Sequence, residues 1–196
     1  ANVAFSNGSL PFGFLERISK KQPISAPNDV TRYFVSQEES GQICLLACII
    51  GKSGDIYFPK LKKEQVMNFS NIATKLLREQ GFTIDNCISE NEAIEKSSSI
   101  KDKYPVYYTW SDTTGEKPYE EFYTKQEEVH LDRHKALGVV TNSKPRSLFE
   151  IDNLLASFEN EFSKEMTTKE SIVKIMKGFI SNFDHKETGK YLDNKI

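Results

Sequence analysis

The chain has 196 residues, 38% of them hydrophobic and 28% charged, which is long enough and apolar enough to bury a continuous core and argues against a disordered polymer. A formal net charge of -2 argues against a nucleic-acid or membrane-surface protein. The longest apolar run, Ile43 to Ile50, falls far short of the about 20 residues that span a bilayer. The charge is unevenly spread: eight Lys/Arg face five Asp/Glu up to residue 63, and eighteen face twenty-three beyond it. An anion site is therefore expected near the start.

After an opening rich in Asn, Ser and Gly, SLPFGFLERISKK predicts a helix beginning near Ser9, with Phe12, Leu15 and Ile18 on its buried side. QPISAPND reads as a loop. Thr31 to Val35, TRYFV, is β-branched and aromatic and predicts a short strand. Ser36, followed three residues later by Glu39, is a capping box for a helix from Gln37 to Ile50, ended by Gly51 and the turn GKSGD. DIYFP is a second strand, closing at Pro59. NFSNIATKLLREQG then spaces Ile72, Ala73, Leu76 and Leu77 along one helical face, with Gly81 as its stop. This alternation is an α/β pattern.

The second half changes character. YPVYYTW is an aromatic strand leading into the polar turn SDTTGEKP and a short amphipathic piece. Ser147 with Glu150 and Thr167 with Glu170 are capping boxes before IDNLLASFENEF and SIVKIMKGFI, predicting a helical hairpin that bends at Met166 and Thr167. The polar tail FDHKETGKYLDNKI is expected to be loosely held. The organisation expected is the end of an α/β core over residues 1–66, a mixed segment over 67–130 and a helical extension over 131–196, a mixed α+β architecture in sum.

Chemistry-bearing patterns are sparse. Cys44, Cys48 and Cys87 are an odd number; Cys44 and Cys48 share one face of the apolar helix and read as buried free thiols in a reducing, cytoplasmic compartment. ANVAFSNGSL lacks the basic head and apolar centre of a secretory signal. His130 and His134 have the H-x-x-x-H spacing of two helical metal ligands, but no third ligand is evident and no metal site is assigned. Tyr191 and Lys195 make a Tyr-x-x-x-Lys within six residues of the chain end, with no nucleotide-binding unit before it, and read as coincidence. Glu38/Glu39, Glu120/Glu121 and Glu127/Glu128 read as exposed helix charges. With no phosphate-binding Gly-rich loop and no nucleophile elbow, the chain holds no complete catalytic constellation.

What remains is NVAFSNGS, together with Arg32 and the FPK at Phe58 to Lys60. Asn2, Ser6, Asn7 and Ser9 offer short polar side chains, and Gly8 lets backbone N–H groups approach a ligand just before a helix N-terminus, which favours anions. Arg32 carries two readings, a surface or ion-paired arginine and a fixed cation whose planar guanidinium suits phosphate.

NVAFSNGSL, PISAPNDVTRYFVSQEESGQICLLA and GDIYFPKL resemble the part of extended short-chain dehydrogenase/reductase enzymes that follows their catalytic Tyr-x-x-x-Lys helix. The group resembled is the polysaccharide-biosynthesis type acting on nucleotide sugars, which includes UDP-N-acetylglucosamine 4,6-dehydratases and NAD-dependent epimerases. SDTTGEK and the closing FDHKETGKYLDNKI resemble a C-terminal extension in a branch making nonulosonic acids and surface glycans. The resemblance implies the C-terminal, substrate-binding region of a Rossmann-type enzyme. It implies Asn2, Ser6, Gly8, Ser9 and Arg32 against a sugar diphosphate, with Lys60 near the nucleotide. UDP-N-acetylglucosamine is the implied partner, and the longer parent would use NAD(P) and could form a homo-oligomer. This chain lacks the family's G-x-x-G-x-x-G turn and catalytic pair, so no catalytic residue or cofactor is expected within it. The competing expectation is a non-catalytic assembly or partner-docking module over Tyr104 to Phe183, motivated by the aromatic run.

Overall fold

The computed structural model describes residues 2–62, 65–112, 117–141 and 145–189. Its elements are, in order, β1 (Asn2–Val3), α1 (Leu10–Ser19), β2 (Ile24–Pro27), β3 (Thr31–Val35), α2 (Gln37–Ile50), β4 (Ile56–Pro59), β5 (Val66–Asn68) and α3 (Phe69–Glu79). Then come β6 (Thr83–Cys87), α4 (Glu90–Ser97), β7 (Lys103–Thr109), β8 (Glu128–His130), β9 (Leu137–Thr141), α5 (Leu148–Phe162) and α6 (Lys169–Phe179). The fold is mixed α/β. The chain divides into two compact units, Ala1–Asn142 with Gly189–Ile196, and Ser143–Thr188.

In the first unit the described residues form three three-stranded sheets, ordered β1-β3-β5, β2-β7-β6 and β4-β9-β8. The second is parallel throughout, with β7 in the middle. A central parallel strand is covered on both faces, and Tyr104 and Val106 of β7 are accordingly fully buried. The aromatic run is thus split: Tyr104 to Val106 are core, Tyr107 and Tyr108 are half-buried, and Trp110 at its end is 68% exposed. Phe14 of α1, Ile24 and Ala26 of β2, and Ile72, Ala73 and Leu77 of α3 close the same core.

The segment expected as a loop, QPISAPND, contains a strand. Ile24–Pro27 pairs with Val106–Thr109, and Ile24 and Ala26 are fully buried. Ser, Ala and Pro are poor strand formers, but burial beside β7 outweighs that weak preference, and Pro27 stands at the strand end where its missing N–H costs least.

The capped helices form where expected. Ser9 caps α1, Ser36 and Glu39 complete the capping box of α2, and Gly81 follows α3 at φ +86°. Gly51 is needed after α2 for a steric reason, since a Cβ there would stand 2.4 Å from the Ala47 carbonyl oxygen.

The helix α2 differs from expectation in which way it faces. None of its residues is buried; Leu45 is 61% and Ile49 70% exposed, and Cys44 and Cys48 are exposed rather than buried. From Ile43 to Ile50 the helix is apolar all round, so its sequence carries no periodicity to mark the inward face. Ser40, Ile43 and Ala47 are the more covered positions. Cys87, at the end of β6, is buried, and that burial pushes its thiol pKa up. An aromatic disulfide reagent is therefore expected to titrate two thiols rapidly in the native protein and the third only after denaturation. Three fast thiols would contradict the burial of Cys87.

In the second unit α5 and α6 form the expected hairpin. Ser147 and Glu150 make the capping box of α5. The cap of α6 is Thr168, not Thr167: its hydroxyl accepts from the Ser171 amide. Thr167 instead donates its hydroxyl to the Glu161 carbonyl at 3.0 Å. Glu161 is itself buried, and hydrogen bonds from Lys164 and Ser171, both at 2.6 Å, hold its carboxyl below the usual range. Arg146 lies 4.7 Å over the Phe179 ring and donates to the Phe179 carbonyl, tying the open ends of the hairpin. Among the described residues no helix is long and apolar enough to cross a membrane.

Candidate functional site

The first sheet decides what Arg32 can meet. β1 pairs in parallel with β3, Asn2 beside Phe34, and β5 pairs antiparallel with β3, Met67 beside Arg32. Strand alternation puts Arg32 and Phe34 on one face, and paired neighbours share it. Asn2, Arg32, Phe34 and Met67 thus lie on one side of the sheet. Phe34 and Met67 pack onto the core, so the strand carrying Arg32 is anchored on its own face.

A carboxylate from far along the chain closes this arrangement. Asn2 Nδ2 donates to Glu120 Oε2 at 2.8 Å, and Arg32 Nε stands 3.7 Å from the same oxygen. Arg32 Nη1 donates to the Thr31 carbonyl at 2.9 Å and the Lys117 carbonyl at 2.7 Å. Its side chain is only 16% exposed. The guanidinium is therefore fixed by main-chain acceptors and faces an anion supplied by the protein itself. Glu120 is not the exposed helix charge expected; it lies in no helix, and neither do Glu121, Glu127 and Glu128.

Residues 117–123 form a strap across the edge of β3. The Thr31 amide and hydroxyl both donate to the Pro118 carbonyl, at 2.9 and 3.0 Å. Phe122 packs against Tyr33 at 5.7 Å and stacks on Phe58 at 5.6 Å and 12°, while the Tyr123 ring meets the Phe58 ring at 5.2 Å. Between strap and β4 lies a cavity of about 450 Å³, with Tyr33, Phe58, Lys60, Glu120, Phe122 and Leu131 in its lining. Lys60 donates Nζ to the Leu131 carbonyl at 2.7 Å, so it stands at this cavity with its charge partly engaged.

Ser6, Gly8 and Ser9 occupy the turn between β1 and α1. Ser9 N donates to the Ser6 carbonyl at 2.9 Å, and Ser9 Oγ accepts the Phe12 amide at 3.4 Å as the helix cap. Gly8 has φ +80° and open space where a Cβ would sit. Phe5, at φ +54°, adopts the same left-handed backbone without being glycine, so the turn before α1 holds strain. The structure thus joins Asn2 and Arg32 at one carboxylate, puts Lys60 at the adjoining cavity, and leaves Ser6, Gly8 and Ser9 in the turn that follows β1.

Glu120, Tyr33 and Phe122 are the participants that sequence reasoning missed. The ring of Phe122 beside two acids in YEEF was the available signal, since a packed ring anchors the short segment that carries it; Tyr119, the other ring, is exposed. His130 lies on β8 and His134 in the loop beyond it, so their spacing is not helical; His130 bonds Glu128 and Thr141. Tyr191 and Lys195 lie outside the described residues, as does much of SDTTGEK, at 113–116.

The family described as polysaccharide biosynthesis protein matches residues 1–142, the stretch that holds every residue of this site. The chain belongs to that family. Its family-level resemblance to polysaccharide-biosynthesis enzymes is borne out. A solved X-ray structure, that of Pen from Bacillus thuringiensis, aligns with 74% of this chain at a TM-score of 0.51 and 18% identity, which shows a shared fold. The chain spans 38% of that protein. No curated protein matches the sequence.

Proposed function

We propose that this member of the polysaccharide biosynthesis family is the substrate-binding part of a nucleotide-sugar 4,6-dehydratase or epimerase, serving bacterial surface-glycan or nonulosonic-acid synthesis in the cytoplasm. UDP-N-acetylglucosamine is the proposed ligand. Its diphosphate lies at Arg32 and Asn2, the turn with Ser6, Gly8 and Ser9 borders it, and Lys60 approaches the nucleotide. The single observation that supports this reading is the convergence of Asn2 and Arg32, from two paired strands, on one carboxylate oxygen. A site that holds one anion in this way has the donors and the charge to hold another.

The turn between β1 and α1 carries one glycine, Gly8, where a dinucleotide-binding turn needs three at fixed spacing. NAD(P) chemistry is accordingly assigned to the rest of a longer parent. Calorimetry with UDP-N-acetylglucosamine tests the binding reading: Arg32→Ala is expected to weaken binding by about tenfold, the loss of one charge-assisted contact worth roughly 1.4 kcal/mol. Equal heats for both proteins would remove Arg32 from the site.

A further inference from the structure

The carboxylate at the anion site belongs to the protein, and that has a consequence for any ligand. We propose that Glu120 is an internal surrogate anion, held at Asn2 and Arg32 by the strap 117–123, which a pyrophosphate-bearing ligand must displace. The proposal rests on the reading of Arg32 as an anion-binding residue and adds a built-in competitor to it.

Three observations carry it. Glu120 takes its hydrogen bond from Asn2 and its nearest cation from Arg32, the two residues assigned to the diphosphate, and through a single oxygen, Oε2. A phosphate oxygen seated between the same donors would occupy that position and meet a like charge. Second, Glu120 lines the cavity and Arg32 does not, so a ligand entering there meets the carboxylate first, with the guanidinium 3.7 Å behind its Oε2. The cavity of about 450 Å³ gives the displaced side chain somewhere to turn without unfolding the strap. Third, the strap is fixed by bonds that do not involve Glu120. Pro118 is bonded by Thr31, the Lys117 carbonyl accepts from Arg32, and Phe122 is stacked on Phe58. The carboxylate can therefore leave while its backbone stays. Removing it costs little anchoring and uncovers a positioned cation.

Titration of the full chain with inorganic pyrophosphate tests the idea through the sign of one effect. Glu120→Gln keeps an acceptor for Asn2 and removes the charge; it is expected to bind pyrophosphate about tenfold more tightly than the wild type, a gain of the size that one pairwise charge interaction supplies. Glu120→Asp withdraws the carboxylate by one methylene and should show a smaller gain, which guards against a fold defect peculiar to the first variant. Adding Arg32→Gln to Glu120→Gln should abolish the gain. If Glu120→Gln binds no better than wild type while Arg32→Gln alone weakens binding, Glu120 aims the arginine instead; the competitor idea falls and the diphosphate reading stands. If the gain persists without Arg32, it is a general effect of net charge, and the proposal also falls. If Arg32→Gln changes nothing in either background, both readings are overturned together.

Discussion

Replacing Gly138 by alanine is expected to destabilise the first unit by about 3 kcal/mol, within the range for forcing extra atoms into a packed site and at its upper end. Gly138 of β9 pairs with Phe58 of β4, and the Phe58 ring lies directly over it. A Cβ at Gly138 would stand 2.2 Å from one ring carbon of Phe58 and 2.4 Å from the next. No small shift relieves an overlap of that depth, so the ring must leave its place. Phe58 is only 6% exposed, and it carries Phe122 and Tyr123. The substitution therefore loses the burial of one ring and two aromatic contacts, each worth about 0.5–1.5 kcal/mol. It also releases the strap that presents Glu120. Urea denaturation measures the first effect, and a double-mutant cycle assigns it: in a Phe58→Leu background, Gly138→Ala should cost much less. Equal costs in both backgrounds would mean that the ring is not what the glycine accommodates.

This contact also marks the limit of what the sequence reveals. Local signals were legible because their partners are local. Ser36 and Glu39 satisfy each other's backbone across one helical turn, and Gly81 supplies the left-handed residue that ends α3 wherever that helix is packed. TRYFV is a strand on its side chains alone. The identity of the residue opposite Arg32 had no such local trace, since Glu120 is 118 residues from Asn2 and sits in a stretch whose acids resemble solvated charges. The glycine of LGVV was silent for the same reason: its use depends on a ring brought in by another strand. Thr167 and Thr168 show the finest case. Both can cap, Glu170 favours the first by spacing, and the structure uses the second while the first is bonded to Glu161. For α2 the difficulty was the opposite, a surplus of apolar residues that fits any orientation.

The second large effect is expected at Tyr104, the fully buried aromatic of the central strand β7. Its hydroxyl donates to the Gln22 carbonyl at 2.6 Å and lies 3.2 Å from the Arg17 carbonyl, joining the end of α1 to the parallel sheet. Tyr104→Phe keeps the ring and its edge contact with Phe82 but strips the donor from two acceptors, and is expected to cost about 1–3 kcal/mol. The same burial gives a signature in pH that packing loss alone would not. It pushes the Tyr104 pKa up to about 12 from an ordinary 10, with Arg17 opposing the shift. A raised pKa in the folded state means that the contribution is full below pH 10, where the phenol is neutral in both states. As pH rises from 10 towards 12 the unfolded chain ionises first, and the contribution is lost. Urea midpoints for wild type and Tyr104→Phe should therefore differ most at neutral pH and converge through that window. A gap that stays constant across it would show that the hydroxyl is free to ionise in the folded protein, and that its bond to Gln22 does not close the core.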